Sequence, residues 1–348
     1  MDLFTRMGEY GYGETHVAVD KASGLRAIVA IHDSTLGPAL GGCRFVTYAS
    51  EGDAFTDALR LARGMTYKAA ITGLSHGGGK SVILRPEGDF DRAALFTAFG
   101  RFVEGLGGRY ITAEDSGTGV GDMQLIRAQT RHVTGVDVAA GGSGDPSPFT
   151  ALGVRRGIEA AAKHKFGRSD LQGLKVAVQG VGHVGYMLCK ELHALGATLF
   201  VADIDDAKSE AAVREFGAKK VALTDVASLE VDVYAPCALG GAINDETLAK
   251  LRAKVVAGAA NNQLWQTRHG DELHARGVLY APDYAINAGG LVNVAQEARG
   301  YNASAATEKT LKIFDTMAEI FERSAKSGIA TYRVADTMAE EALAKARN

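Results

Sequence analysis

Hydrophobic and polar positions in the first third of the chain alternate in short β-like runs, then change to helical spacing. Residues 15–20 and 25–32 read as two strands, and Lys21-Ala22-Ser23-Gly24 between them predicts a hairpin. From Ser50 the apolar positions Phe55, Leu59, Ala62 and Met65 recur at helical spacing. Ser50 and Asp53 supply an S-x-x-D capping box at the start of that helix. After glycines 77–79 the pattern predicts a strand over 81–84, a helix over 91–105, a strand over 110–113 and a helix over 122–130. Gly141-Gly142-Ser143-Gly144-Asp145-Pro146-Ser147-Pro148 is the densest run of chain breakers and predicts a domain boundary. Beyond it, apolar runs at 174–179, 198–203, 231–235, 255–259 and 278–281 read as buried strands. Helical patterns at 184–195, 206–216 and 245–251 separate them, and 305–327 and 332–346 form a helical tail. Alternation of this kind predicts a parallel sheet with helices on both faces, so the fold class is α/β in two domains.

Composition narrows what such a fold can do. At 348 residues the chain exceeds the roughly 150–200 residues of one core, in keeping with two domains. Lys plus Arg against Asp plus Glu is 38 − 41 = −3, which leaves no basic excess for a nucleic-acid partner. No run reaches the ~18 apolar residues of a membrane span, and residues 1–10 lack a signal-peptide pattern, so no membrane partner is expected. Cys43, Cys189 and Cys237 are odd in number and far apart, which fits a reducing cytoplasm rather than a disulfide framework. The nine histidines show no metal-ligand spacing with a carboxylate, so no metal is expected. Glycine is the unusual count, 43 against six prolines, and clustered glycines mark places where backbone approaches a ligand.

One cluster has a specific context. Val176-Ala177-Val178-Gln179 reads as a strand running into Gly180-Val181-Gly182-His183-Val184-Gly185, a G-x-G-x-x-G turn that opens a helix. Gly180 permits the tight turn, Gly182 lets backbone approach a pyrophosphate, and Gly185 permits close helix–strand packing. The helix start at His183 and Val184 offers free N–H groups and positive dipole to phosphates. The next strand ends at Asp203, eighteen residues beyond Gly185. A carboxylate there suits a ribose with a free 2′-hydroxyl and repels a 2′-phosphate, so NAD is the expected cofactor rather than NADP.

Lys68 and Lys80 flank Gly77-Gly78-Gly79. A P-loop would need glycine six residues before Lys80, where Leu74 stands. The glycines are better read as bringing backbone and Lys80 close to a small substrate. A lysine desolvated beside a second ammonium gives up its proton more readily, which makes Lys80 a candidate general base. Lys68, left charged, would pair a substrate carboxylate.

Five segments carry a resemblance to one family. They are Gly37-Pro38-Ala39-Leu40-Gly41-Gly42-Cys43-Arg44, the run Ala58 to Lys68, Gly77-Gly78-Gly79-Lys80, Thr112-Ala113-Glu114-Asp115-Ser116-Gly117-Thr118, and Asn287-Ala288-Gly289-Gly290. In this order, over nearly the whole chain, they resemble the amino-acid dehydrogenases that act on glutamate, leucine, valine or phenylalanine, the leucine-acting members most of all. The resemblance implies a mixed-sheet substrate and oligomerisation domain over 1–146, with the C-terminal helix 328–348 returning to it. It implies a doubly wound Rossmann NAD-binding domain over 147–327, domain closure about 141–148, and a homo-oligomer, octamer or dimer. The reaction implied is oxidative deamination of an L-amino acid to a 2-oxo acid and ammonia. Lys68 would hold the substrate carboxylate, Lys80 would activate water against the imino intermediate, and Asp115 would shuttle protons at the amine. Ser147, Thr150, Cys237, Ala238 and Asn262 would lie near the nicotinamide, and Asn287 would bind across the cleft.

The same resemblance bears on the side chain accepted. Glutamate-specific members carry lysine at the position of Leu40 and serine at that of Val294, so a distal carboxylate would be left buried and unpaired here. The expected pocket is Leu40, Gly41, Gly42, Met65, Ala113, Thr134, Leu291 and Val294. Ala113 resembles the leucine and valine enzymes, whereas Leu291 resembles the phenylalanine enzymes. Leucine or another branched-chain amino acid is the expected substrate, phenylalanine the alternative. A different class, a deaminating lyase that retains its NAD, would consume amino acid without net NADH.

Overall fold

The computed structural model describes residues 3–11 and 13–347. Its first sheet holds Glu14–Asp20 (β1), Leu25–Asp33 (β2), Ala39–Val46 (β3), Gly77–Leu84 (β4) and Tyr110–Glu114 (β5), in the order β1-β2-β4-β3-β5. β1, β2 and β4 pair antiparallel, whereas β4, β3 and β5 pair parallel, so the sheet is mixed. The β1–β2 hairpin forms where the pattern places it, with Val17 opposite Ile28. Alternate residues of β2 enter two cores. Ile28 and Ala30 pack with Ala54, Ala58, Leu59 and Ala62 of the helix Glu51–Ile71. Leu25, Ala27, Val29 and Ile31 pack with Phe96 and Phe99 of the helix Arg92–Gly105 and with Met123 and Ile126 of the helix Val120–Arg127.

Burial on both faces erases the alternation that marks a half-exposed strand. That is why β3 escapes the sequence pattern, and why glycines 77–79, expected to precede a strand at 81, are themselves strand. Their strand propensity is poor, but they lie between β2 and β3, and both neighbours supply ladder hydrogen bonds.

The second sheet comprises Lys175–Gln179 (β6), Thr198–Ala202 (β7), Lys219–Lys220 (β8), Val233–Pro236 (β9), Val255–Val256 (β10) and Leu279–Tyr280 (β11). All pairs are parallel, in the order β11-β10-β9-β6-β7-β8. Counted from β6 this is 6-5-4-1-2-3, the doubly wound arrangement in which ligands sit where the order reverses, between β6 and β9. The helices His183–Ala194, Asp206–Phe216 and Asp245–Lys250 fall close to their predicted places. Helices Ser147–Phe166 and Thr267–Ala275 are additions. The tail expected as one helix over 305–327 is two, Ala303–Leu311 and Ile313–Ser327.

Two compact units result. One comprises Met1–Asp145, Asn293–Ala303 and Ala339–Asn348, and the other Pro146–Val292 and Ser304–Met338. Only the last ten residues of the expected returning segment 328–348 therefore group with the first unit, and Asn293–Ala303 joins them. Glu340 accepts a hydrogen bond from Tyr67 (2.7 Å), and Arg347 donates to Asp33 (2.5 Å), which fastens the C-terminal end.

Candidate active site

The first unit brings Lys80 and Asp115 together. Lys80 stands on β4, buried at 5% exposure, and its Nζ lies 2.6 Å from Asp115 Oδ2. Asp115 follows directly on β5, at the end of a strand that runs parallel to β3 and β4. A tight turn holds it there: the Asp115 amide donates to Thr118 Oγ1 (2.9 Å), whose hydroxyl lies 2.9 Å from the carbonyls of both Asp115 and Cys43. Gly42 keeps the space clear. A Cβ on it would lie 2.7 Å from the Asp115 Cβ and 3.3 Å from Lys80 Nζ. Lys68 is buried on the helix Glu51–Ile71, which packs against β4.

Two residues that sequence reasoning passed over complete the cluster. Arg44 on β3 donates its Nε–H to the same Asp115 Oδ2 (3.2 Å) and its Nη1 to Asp57 (2.7 Å). Asp57 also accepts from the Tyr48 hydroxyl (2.8 Å). Burial alone would raise the Asp115 carboxyl, but Lys80 and Arg44 beside it hold it well below the usual carboxylate range. Burial pushes the neighbouring Cys43 thiol up to about 12, so it stays neutral. Arg44 was visible in the Gly41-Gly42-Cys43-Arg44 segment, yet nothing in a linear pattern ties it to a residue 71 positions away.

The other expected substrate contacts divide between the two units. Leu40, Gly41 and Gly42 lie on β3 opposite Ile111, Thr112 and Ala113 of β5, all buried except the half-buried Ile111. Thr134 is fixed beside Thr112, its amide donating to the Thr112 carbonyl (2.8 Å), and Met65 is half-buried on the helix Glu51–Ile71. Val294 is buried in the first unit, whereas Leu291 and Asn287 are buried in the second. Asn287 donates its amide to the Ala259 carbonyl (3.0 Å) and to Asn261 Oδ1 (2.8 Å), which leaves its own Oδ1 buried and unpaired. An acceptor of that kind has room for one more donor, from water or a ligand.

The second unit carries the glycine turn at the predicted place. Gly180 has φ +95°, and a Cβ there would meet the Ala238 amide nitrogen at 2.7 Å. Gly185 lies against the Gly180 carbonyl and the Cys237 side chain, so a Cβ there would also clash. Cys237 and Ala238 follow β9, and the Cys237 amide donates to the Gln179 carbonyl (2.7 Å). Asp203, just past β7, accepts from the Val181 amide (2.6 Å) and the Asp205 amide (2.9 Å). Asn262 is the one non-glycine with positive φ, +51°, among the described residues. Ser147 begins the helix Ser147–Phe166, and the Thr150 hydroxyl donates to the Pro146 carbonyl (3.1 Å). A close backbone cradle, unspent N–H groups at the start of the helix His183–Ala194 and a carboxylate at the neighbouring strand end fit a dinucleotide.

Comparison with known proteins agrees with both halves. The model of the Glu/Leu/Phe/Val dehydrogenase dimerisation domain matches residues 12–132, and that of the Glutamate/Leucine/Phenylalanine/Valine dehydrogenase matches 141–209 and 201–347. The leucine dehydrogenase of Bacillus cereus is 53% identical over 348 residues, covering 100% of this chain and 95% of that protein. The leucine dehydrogenase of Thermoactinomyces intermedius is 55% identical over 98% of this chain and 93% of its own length. The chain belongs to the Glu/Leu/Phe/Val dehydrogenase family. The crystal structure of L-tryptophan dehydrogenase from Nostoc punctiforme superposes with a TM-score of 0.85 at 43% identity, covering 99% of each chain. The protein is therefore an amino-acid dehydrogenase, from a family whose members use nicotinamide dinucleotides. No described helix of the enzyme is long and apolar enough to cross a membrane.

Proposed function

We propose that the enzyme oxidatively deaminates leucine or another branched-chain L-amino acid, with NAD and water, to the 2-oxo acid, ammonia and NADH. The observation that carries this reading is the contact of buried Lys80 with half-buried Asp115 at 2.6 Å, with Gly42 leaving room beside it. Lys68 holds the substrate carboxylate as a point charge, and the backbone of Gly41 and Gly42 lines the approach. Asp115 takes a proton from the substrate ammonium, so that the amine is neutral. NAD, when bound, supplies the hydride acceptor for Cα. Lys80 then removes a proton from the water that adds to the imino carbon, and Asp115 returns a proton to the departing amine. Gly180, Val181, Gly182, His183, Val184 and Gly185 hold the pyrophosphate. Asp203 accepts from the ribose diol and disfavours NADP. Ser147, Thr150, Cys237, Ala238, Asn262 and Asn287 hold the nicotinamide end and the substrate.

Leu40, at 1% exposure, and buried Val294 favour an apolar side chain. A glutamate carboxylate between them would be desolvated without a cation, at a cost of several kcal/mol. Leu291 favours a second reading, an aromatic substrate, but one methylene changes discrimination by only about 1–3 kcal/mol. The first unit is the substrate and assembly half of a cytoplasmic homo-oligomer, and the second is the nucleotide half. Lys80→Ala should lower kcat at least about a hundredfold while NAD titrates with wild-type affinity. Undiminished turnover in that variant would remove Lys80 from the chemistry.

A further inference from the structure

Two cations donate to a single oxygen. Lys80 Nζ and Arg44 Nε both reach Asp115 Oδ2, at 2.6 and 3.2 Å. Arg44 is only one-fifth exposed, and its other end is clamped by Asp57, itself fixed by Tyr48. A surface arginine that merely neutralised charge would not be held at both ends by half-buried carboxylates, Asp57 and Asp115 at 14% and 17% side-chain exposure. The clamp fixes the guanidinium at the oxygen that also holds the Lys80 proton. Such a competitor for the carboxylate weakens its grip on that proton, because an added positive charge favours proton loss from the pair as a whole.

We infer that Arg44, clamped by Asp57 and Tyr48, is a positioning residue that sets the pH at which the Lys80–Asp115 pair can act as a base. This rests on the proposed roles of Lys80 and Asp115. The groups facing the pair come from several elements. β3 contributes Arg44 and the neutral Cys43 thiol, and β5 contributes Tyr110, whose phenol is raised by burial. The helix Glu51–Ile71, which packs against β4, contributes Asp57 through its bond to Arg44 and also carries the buried Lys68. Asp122, on the helix Val120–Arg127, is already held by Arg92 at 2.8 and 2.7 Å. Arg44 is thus the cation in direct contact with the pair that the proposed chemistry leaves unused.

The test is the pH profile of kcat/KM for leucine with NAD, in wild type, Arg44→Met, Arg44→Gln and Arg44→Lys. The ascending limb reports proton loss from the pair. In Arg44→Met it should move up by about 1–3 pH units, each unit a tenfold loss of kcat/KM on that limb. Arg44→Lys should restore most of the shift. Arg44→Gln, which also removes the charge but keeps a polar head, serves as the readout if Arg44→Met does not fold, with the same upward move expected. A limb unmoved in folded Arg44→Met or Arg44→Gln overturns the inference. Active Lys80→Ala would instead sink the functional reading beneath it, whereas inactive Lys80→Ala with an unmoved Arg44→Met limb sinks only the role of Arg44.

Discussion

At the scale of single residues, the site depends on what is missing at position 42. Gly42→Ala would bring a Cβ to 2.7 Å from the Asp115 Cβ and 2.8 Å from the Glu114 carbonyl, so the turn carrying Asp115 must shift. Displacement of a reacting group by about 1 Å costs on the order of a hundredfold in rate. Steady-state kinetics on folded Gly42→Ala should show that loss mainly in kcat, with NAD affinity retained. Asp115 also makes a prediction for stability. Its carboxyl is depressed in the folded state, so its ion pairs stabilise fully above the unfolded value of about 3.9 and are lost as pH falls through the lower folded value. Acid unfolding followed by circular dichroism should therefore be less steep for Asp115→Asn. The glycines beside Lys68 and Lys80 were legible in the sequence as a place of close approach, whereas Asp115 came only through the family resemblance. Arg44 and Asp57 were not legible, because their roles come from β3 lying next to β5 and under a helix, a juxtaposition that no local spacing encodes.

At the scale of elements, the glycine turn between β6 and the helix His183–Ala194 is set by backbone geometry. Gly180→Ala would put a Cβ against Ala238 at a φ of +95°, a conformation that costs a side chain about 1–2 kcal/mol. Isothermal titration should show NAD binding weakened by roughly tenfold or more with the first unit's site unaffected. A second device ties a loop to a distant segment. Glu297 accepts from the Gly135 amide (2.8 Å), the Ser143 amide (2.8 Å) and the Ser143 hydroxyl. Glu297→Ala strands these donors and should cost about 2–3 kcal/mol, seen as a lower melting temperature, whereas Glu297→Gln should retain part of it. The elements that pattern reading located were those with one exposed face, a clear cap or an unbroken apolar run, as in β6, β9 and β10. Ser50 and Asp53 do exchange hydrogen bonds, Asp53 N–H to Ser50 Oγ at 3.1 Å and the Ser50 hydroxyl to Asp53 at 2.8 Å. β3 and the glycine half of β4 were hidden because burial on both faces leaves no periodicity to read, and their glycines with Arg44 or Lys80 break the apolar run that would otherwise mark a buried strand.

At the scale of the whole molecule, each compact unit carries a different half of an amino-acid dehydrogenase. The mixed-sheet unit holds the Lys80–Asp115–Arg44 cluster, and the doubly wound unit holds the glycine turn with Asp203. The chain passes between the units after Asp145, Val292, Ala303 and Met338, so neither half is one continuous segment. Pattern reading anticipated a boundary near the breaker run, but the later crossings fall within helical stretches such as Thr331–Arg347, which carry no breaker signal. The enzyme is expected to remove hydride and ammonia from an apolar amino acid. NADH formation with leucine, isoleucine, valine, phenylalanine, tryptophan and glutamate, assayed in parallel with the 2-oxo acid released, reads this out. Branched-chain substrates should lead, with one NADH per 2-oxo acid and glutamate slowest. Glutamate as the preferred substrate, or amino acid consumed without matching NADH, would contradict the account.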